Sequence, residues 1–320
     1  VYAEGEHPYV LQAAQLVVNE RLGFPILVGR RRVIKRMITH LGLRMKEEQD
    51  YEVCDQDEDS RIPQFCDEYH RLVERKGVSP SHARRVVRAG STVIAGLLLR
   101  RGDADAMICG AVGRYHTQLR HVNQVVGKGP DVRGFATLSG LILDSGPLFI
   151  ADTYVSVEPS AEKLCDITLM AARELRRFGI EPKIALVSHS NFGTENTDTA
   201  IKMRDALALI HKCAPDLEVE GEMHADAAIR PFVREEVFPN SRLKGSANLL
   251  IMPTLDSANI AFNLLRAASR TTALGPILLG ANRPVHIVTP STSVRGLLNM
   301  SAIAISDALR EEPAQSAAAE

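Results

Sequence analysis

The chain has 320 residues, 45% of them hydrophobic and 24% charged, with a formal net charge of −1. That length suits two domains of ordinary size, and the composition excludes a disordered or fibrous chain. Near-neutral charge removes the positive field of a nucleic-acid binder, and Arg, Asp or Gly interrupts each apolar run short of the roughly 18 residues of a membrane span.

Five cysteines, Cys54, Cys66, Cys109, Cys165 and Cys213, are odd in number and widely spaced, with no pair at a metal or redox spacing, so a reduced, cytoplasmic setting is expected. Val1 to Gly5 carry neither a basic nor an apolar signal region and fit the cut edge of a longer protein. The basic clusters Arg30, Arg31, Arg32, Lys35, Arg36 and Arg84, Arg85, Arg88 are offset by acidic residues between Glu47 and Asp59 and read as solvated helix faces or subunit contacts.

Along the chain, short apolar strands alternate with amphipathic helices, the pattern of βαβ units on a mostly parallel sheet covered on both faces. Val10, Leu11, Ala14, Leu16, Val17 and Val18 stripe a first helix, and Pro25 to Gly29 is a buried strand ending in a glycine turn. Ala106 to Gly110 repeats that design ahead of a helix from about His116. Arg133 to Leu143 and Gly146 to Tyr154 are extended apolar segments joined by Asp144, Ser145 and Gly146, a hairpin signal where one domain gives way to another. A helix from Glu162 to Phe178 stops at Gly179. Strands follow at Lys183 to Val187, Asn248 to Met252 and Val285 to Val288, and the Ala-rich tail Glu311 to Glu320 is expected to fray.

In open α/β sheets ligands gather beyond the C-terminal strand ends, so the loops there carry the candidate chemistry. Gly110 to Arg120 combines glycines, exposed amides at a helix start and the cations Arg114 and Arg120, which suits an anion, and a plain strand-to-helix connection accounts for the glycines equally well. The turn of Ser188, His189, Ser190 and Asn191 holds hydroxyls and an imidazole, but adjacent Ser and His point apart on a strand end, and helix capping competes with nucleophilic chemistry. Glu222, His224 and Asp226 would share a face if they alternated on a strand, yet no further ligand group is identifiable and no metal is expected. The hydroxyls from Thr289 to Ser293 can cap the final helix or hold a phosphate.

Four ordered segments carry a resemblance: Arg101 to Ala111, Gly221 to Ile229, Ala247 to Ile260 and Gly275 to Val285. Together they resemble the phosphate acetyltransferase and phosphate butyryltransferase family. The resemblance implies two α/β/α domains, related to the isocitrate and isopropylmalate dehydrogenase-like fold, with a coenzyme A cleft between them. The first domain would be 1–136 plus 277–320, and the second, 137–276, would be inserted in it. Active members of that family carry a Ser-Arg pair and an Asp six residues after the Arg, proposed as the base for the CoA thiol. The matching positions are Thr289, Pro290 and Gly296, so no catalytic residues are expected. The family's arginine in the helix after the glycine loop is matched by Arg120.

A scaffold that keeps the core segments and loses the catalytic loop is similar to the C-terminal part of hybrid malic enzymes. That similarity implies acetyl-CoA as an effector, and NADP with Mg or Mn only in a fused malic enzyme domain, which converts malate to pyruvate and CO2. It also implies a homodimer, with neither nucleic acid nor membrane as a partner. The residues expected at acetyl-CoA are Arg114 and Arg120 for phosphates, Ser188, His189, Ser190 and Asn191, and Thr289, Ser291 and Arg295 beside the thioester. Two rival expectations are a working phosphate acetyltransferase and an assembly domain that binds no ligand.

Overall fold

The computed structural model describes residues 1–269 and 271–316. In chain order the elements are α1 (Pro8–Asn19), β1 (Ile26–Val28), α2 (Arg31–His40), β2 (Glu52–Cys54), α3 (Ile62–Val73), α4 (Pro80–Ala89), α5 (Ser91–Arg101), β3 (Met107–Cys109) and α6 (Tyr115–Val125). Then come β4 (Ala136–Leu143), β5 (Gly146–Ala151), α7 (Ala161–Arg177), β6 (Ile184–Val187), α8 (Asp198–Cys213), β7 (Val219–Met223), α9 (Ala225–Ile229) and α10 (Pro231–Val237). The last are β8 (Leu249–Ile251), α11 (Leu255–Ser269), β9 (Thr272–Leu279), β10 (Val285–Ile287) and α12 (Val294–Ser316). The tail expected to fray is helical as far as Ser316, and residues 317–320 lie outside the described residues.

The chain divides into two compact units, Val1–Asp131 with the chain from Ala281 onward, and Val132–Gly280. The joins fall a few residues outside the 136/137 and 276/277 suggested by the sequence, because β4 and β9 pair from Ala136 with Leu279 and belong together in one sheet.

In the first unit β1 pairs in parallel with β2, and β3 in parallel with β10. Residues 1–3 lie between the two pairs: Tyr2 pairs with both Leu27 and Ile108, donating its amide to Ile26, while Ile108 donates to Val1. The result is one parallel layer in the order β2, β1, residues 1–3, β3, β10. Every residue of β1, β3 and β10 is buried, as strands covered on both faces must be. Among the helices, α1 packs on α12, α12 reaches β3 and β10, and α5 packs on β1, β3 and α6.

The second unit is a six-stranded sheet in the order β7-β6-β8-β5-β4-β9. Only β4 runs against its neighbours; it forms the expected hairpin with β5, with Leu143 opposite Gly146. Side chains alternate faces along a strand. Leu148, Ile150, Ala185 and Val187 accordingly join Ala227, Ala258 and Phe262 in a core with α9 and α11. Phe149 faces the other way and stacks on Phe178, which ends α7. Ser160 caps α7 through the Lys163 amide, and Gly179 at φ +75° closes it, a conformation only glycine adopts without strain. Among the described residues no helix is long and apolar enough to cross a membrane.

Candidate ligand site

At the C-terminal edge of the first unit, the chain leaves β3 through Gly110. A Cβ built there would lie 2.4 Å from the Val288 carbonyl oxygen, and φ is +98°, so both the space and the backbone require glycine. The close approach follows from the pairing of β3 with β10, where Val288 donates to the Cys109 carbonyl at 2.7 Å. The loop after β3 and the loop after β10 therefore emerge side by side.

The first two amides of the glycine loop, those of Gly110 and Ala111, do not stand open as the sequence suggests. Gly110 donates to the Glu4 carboxylate at 3.0 and 3.2 Å. Burial pushes the Glu4 carboxyl up to about 7, while hydrogen bonds from Gly110 and Ala111 act against that rise. The loop continues through Gly113 at φ +92° to Arg114, which precedes α6; Gln118 braces it by donating to the Val112 carbonyl at 2.9 Å. Arg114 and, further along α6, Arg120 are exposed.

Beside this loop, Thr289 to Ser293 form a turn tied by its own hydroxyls. Thr289 Oγ1 lies 3.0 Å from Ser291 Oγ and 3.2 Å from Thr292 Oγ1, and the Thr289 amide donates to Thr292 Oγ1 at 3.1 Å. Ser293 Oγ accepts the Gly296 amide at 3.1 Å in the first turn of α12. Pro290, Ser291 and Arg295 are exposed. Pro290 brings no donor to the turn, and Gly296 brings no carboxylate.

A cavity of about 440 Å³ opens at the same edge, lined among others by Glu4, Glu6, His7, Arg30, Ser91 and Gln118. Arg30 pairs with Glu6 in two contacts of 2.8 Å, which holds the Glu6 carboxyl below its usual range. Neither Glu4 nor this cavity is evident in the sequence; the one local signal is the acidic spacing of Glu4 and Glu6 just before a helix.

In the second unit the loop after β6 is built around Glu222, which is 1% exposed. Glu222 accepts from Ser190 Oγ at 2.7 Å, the Gly193 amide at 2.9 Å and Arg204 Nη1 at 3.0 Å. Burial raises this carboxyl, but those donors outweigh it and hold it below the usual carboxylate range. Ser188 Oγ accepts the Ser190 amide, and Asn191 Oδ1 accepts the His224 amide at 3.2 Å. These three side chains are internal braces. His189 is exposed, with Nε2 3.2 Å from Thr197 Oγ1.

Glu222, His224 and Asp226 do not alternate along one strand: β7 ends at Met223, His224 precedes α9 and Asp226 lies within it. Among the described residues no group of three His, Cys, Asp or Glu side chains is arranged to hold a metal ion. The structure thus gathers Thr289, Ser291 and Arg295 beside the Arg114 loop in the first unit, and Ser188, His189, Ser190 and Asn191 in one loop of the second.

Comparison with known proteins gives this arrangement a family. The NAD-dependent malic enzyme of Rhizobium meliloti is 48% identical over 305 residues, covering 95% of this chain and 40% of that protein. The NADP-dependent malic enzyme of Escherichia coli is 46% identical over 309 residues, covering 96% and 41%. The chain therefore spans about two fifths of the length of these relatives. Among solved structures, a phosphotransacetylase from Streptococcus pyogenes superposes with a TM-score of 0.88 at 27% identity, covering 97% of this chain and 93% of that one. Residues 1–305 match the family model described as phosphate acetyl/butaryl transferase, and the chain belongs to that family.

Proposed function

We propose that this chain is the acetyl-CoA-binding, regulatory part of a malic enzyme, built on a phosphotransacetylase scaffold that has lost acetyl transfer. The observation that carries the reading is the loop after β10. Where the family pattern has Ser, Arg and Asp, this chain has Thr289, Pro290 and Gly296. Thr289 keeps a hydroxyl, but its Oγ1 is engaged with Ser291 and Thr292. Pro290 offers nothing to stabilise a developing oxyanion, and Gly296 cannot take a proton from a thiol.

The relatives support the same reading. Identity is 48% and 46% to proteins named malic enzymes and 27% to a phosphotransacetylase. The fused partner would be the malic enzyme domain, which turns malate into pyruvate and CO2 and holds the divalent metal and the nicotinamide coenzyme. The two relatives are named for NAD and for NADP, so the chain itself favours neither. Within this chain Arg114 and Arg120 would meet the phosphates of acetyl-CoA, and Thr289, Ser291 and Arg295 the thioester end. Of Ser188, His189, Ser190 and Asn191, His189 is the exposed one. Ser188, Ser190 and Asn191 would hold that loop in shape. Regulation would arise from a difference in affinity for acetyl-CoA between two states of the protein, and the chain would act as a cytoplasmic homodimer.

Calorimetric titration with acetyl-CoA tests the ligand: saturable heat supports the reading, and no heat at millimolar acetyl-CoA overturns it. The rival reading, a working phosphate acetyltransferase, draws on the preserved strand and glycine-turn segments, and an assay for acetyl phosphate separates the two.

A further inference from the structure

The parallel layer of the first unit ends, at its N-terminal edge, in an apolar cavity of about 430 Å³, walled by Leu22, Phe24 and, on α12, Ile305 and Leu309. Phe24 and Leu309 are 53% and 64% exposed, so a large apolar wall faces water. Residues 1–3 border this cavity between β1 and β3. The Val1 nitrogen donates to the Ala106 carbonyl at 2.6 Å, the Tyr2 amide to the Ile26 carbonyl, and the Val28 amide to the Tyr2 carbonyl.

The register of this ladder extends backwards. In a parallel pair the hydrogen bonds recur every two residues on both strands. Because Val28 donates to Tyr2, the Ile26 amide is placed for the carbonyl of a residue directly before Val1. Because Tyr2 lies opposite Ile108, a residue two places before Val1 lies opposite Asp105. Side chains alternate faces along a strand. Tyr2 reaches α12, with its hydroxyl 2.6 Å from Ser301 Oγ, so the residue directly before Val1 points at the next turns of that helix, Ile305 and Leu309. The residue before it takes the other face, beside Asp105. Glu52 and Asp103 at the rim are paired with Arg61 and Arg101, which leaves the exposed Asp105 for a cation. The cavity thus fits an extended strand, apolar at one residue and cationic at the one before.

We propose that this cavity seats the segment joining the chain to the malic enzyme domain, which enters as a continuation of residues 1–3 with an apolar side chain against Ile305 and Leu309 and a Lys or Arg beside Asp105. The seat rests on the reading of the chain as the part of a malic enzyme that follows its catalytic domain. The two malic enzymes match over 40% and 41% of their length, so more than half of each lies outside the match and can supply the segment. Main-chain hydrogen bonds give the attachment, as when a peptide adds a strand to a sheet.

The test uses the full-length protein of which this chain is part, with hydrogen exchange read at the Ile26 amide and limited proteolysis at the joining segment. The Ile26 amide is expected to be protected, and Ile305→Glu, which puts a carboxylate in the apolar seat, to lower that protection about tenfold and speed cleavage of the segment as much. Should Ile305→Glu not fold, Asp105→Lys, at an exposed position, decides, with faster cleavage expected. Rapid exchange at Ile26 in the wild type, or equal cleavage in wild type and both variants, overturns the proposal. So does an Asp or Glu two places before Val1. Protection that rises with protein concentration while the segment is cut freely assigns the cavity to a second copy of the chain and overturns it too. If acetyl-CoA fails to bind while the segment stays protected, the regulatory reading fails and the seat stands; if acetyl-CoA binds and the segment is cut freely, the seat alone fails.

Discussion

Ser190 donates its hydroxyl to Glu222 at 2.7 Å, and both side chains are buried, at 0% and 1% exposure. The pair ties the loop after β6 to the end of β7. Ser190→Ala leaves Glu222 with the Gly193 amide and Arg204 and is expected to cost about 1–2 kcal/mol of stability. Denaturant titration measures that loss. If Ser190 acted instead on the ligand, acetyl-CoA affinity would collapse while stability held.

The acid limit of stability should depend on Glu222. Its folded carboxyl is held below the ordinary value, so its contribution is present above the unfolded value and is lost as pH falls through the folded one. Glu222→Gln should be less stable than wild type at pH 7, with the difference shrinking toward pH 3. Urea titrations of both proteins across that range measure the effect, and a difference independent of pH would count against it.

Glu4 acts in the opposite direction. Its folded carboxyl, at about 7, lies above the unfolded value, so its favourable contribution is full at low pH and lost as pH rises through the folded value. Relative to wild type, Glu4→Gln should gain about 1–3 kcal/mol of stability between pH 5 and pH 8. Thermal or urea denaturation at the two pH values measures the gain.

Gly110→Ala is expected to destabilise by about 2–4 kcal/mol, because φ is +98° and the new methyl would meet the Val288 carbonyl 2.4 Å away. Gly42→Ala, at φ +65° with nothing within 4 Å of the added carbon, should cost less, and urea titration of the two variants side by side isolates the steric part.

Arg114→Ala and Arg120→Ala should each weaken acetyl-CoA about 5- to 30-fold, the worth of one charge-assisted phosphate contact. Raising the salt should narrow the gap from wild type. Calorimetry at two ionic strengths reads both effects.

The parts of this molecule that sequence discloses are those set by local pattern. The fully apolar runs at Ile26–Val28 and Met107–Cys109 declare buried parallel strands, Asp144 and Ser145 declare the hairpin turn, and Gly179 declares the end of α7. What stays hidden is long-range pairing of polar groups. Glu4 finds Gly110 across 106 positions and Ser190 finds Glu222 across 32, and no periodicity links such residues. The same reach hides the braces of the loop after β6, where the Ser188 oxygen accepts the Ser190 amide and the Asn191 oxygen accepts the His224 amide. Residues 1–3, too few to show a strand pattern, owe their place in the sheet to β1 and β3 on either side.

The most direct test of the account is the rate of acetyl phosphate formation at saturating acetyl-CoA and phosphate, measured on protein that binds acetyl-CoA by calorimetry. With Pro290 and Gly296 at the family's Arg and Asp positions, no turnover above background is predicted. Turnover within tenfold of about 10 per second, a typical enzyme rate, would contradict it.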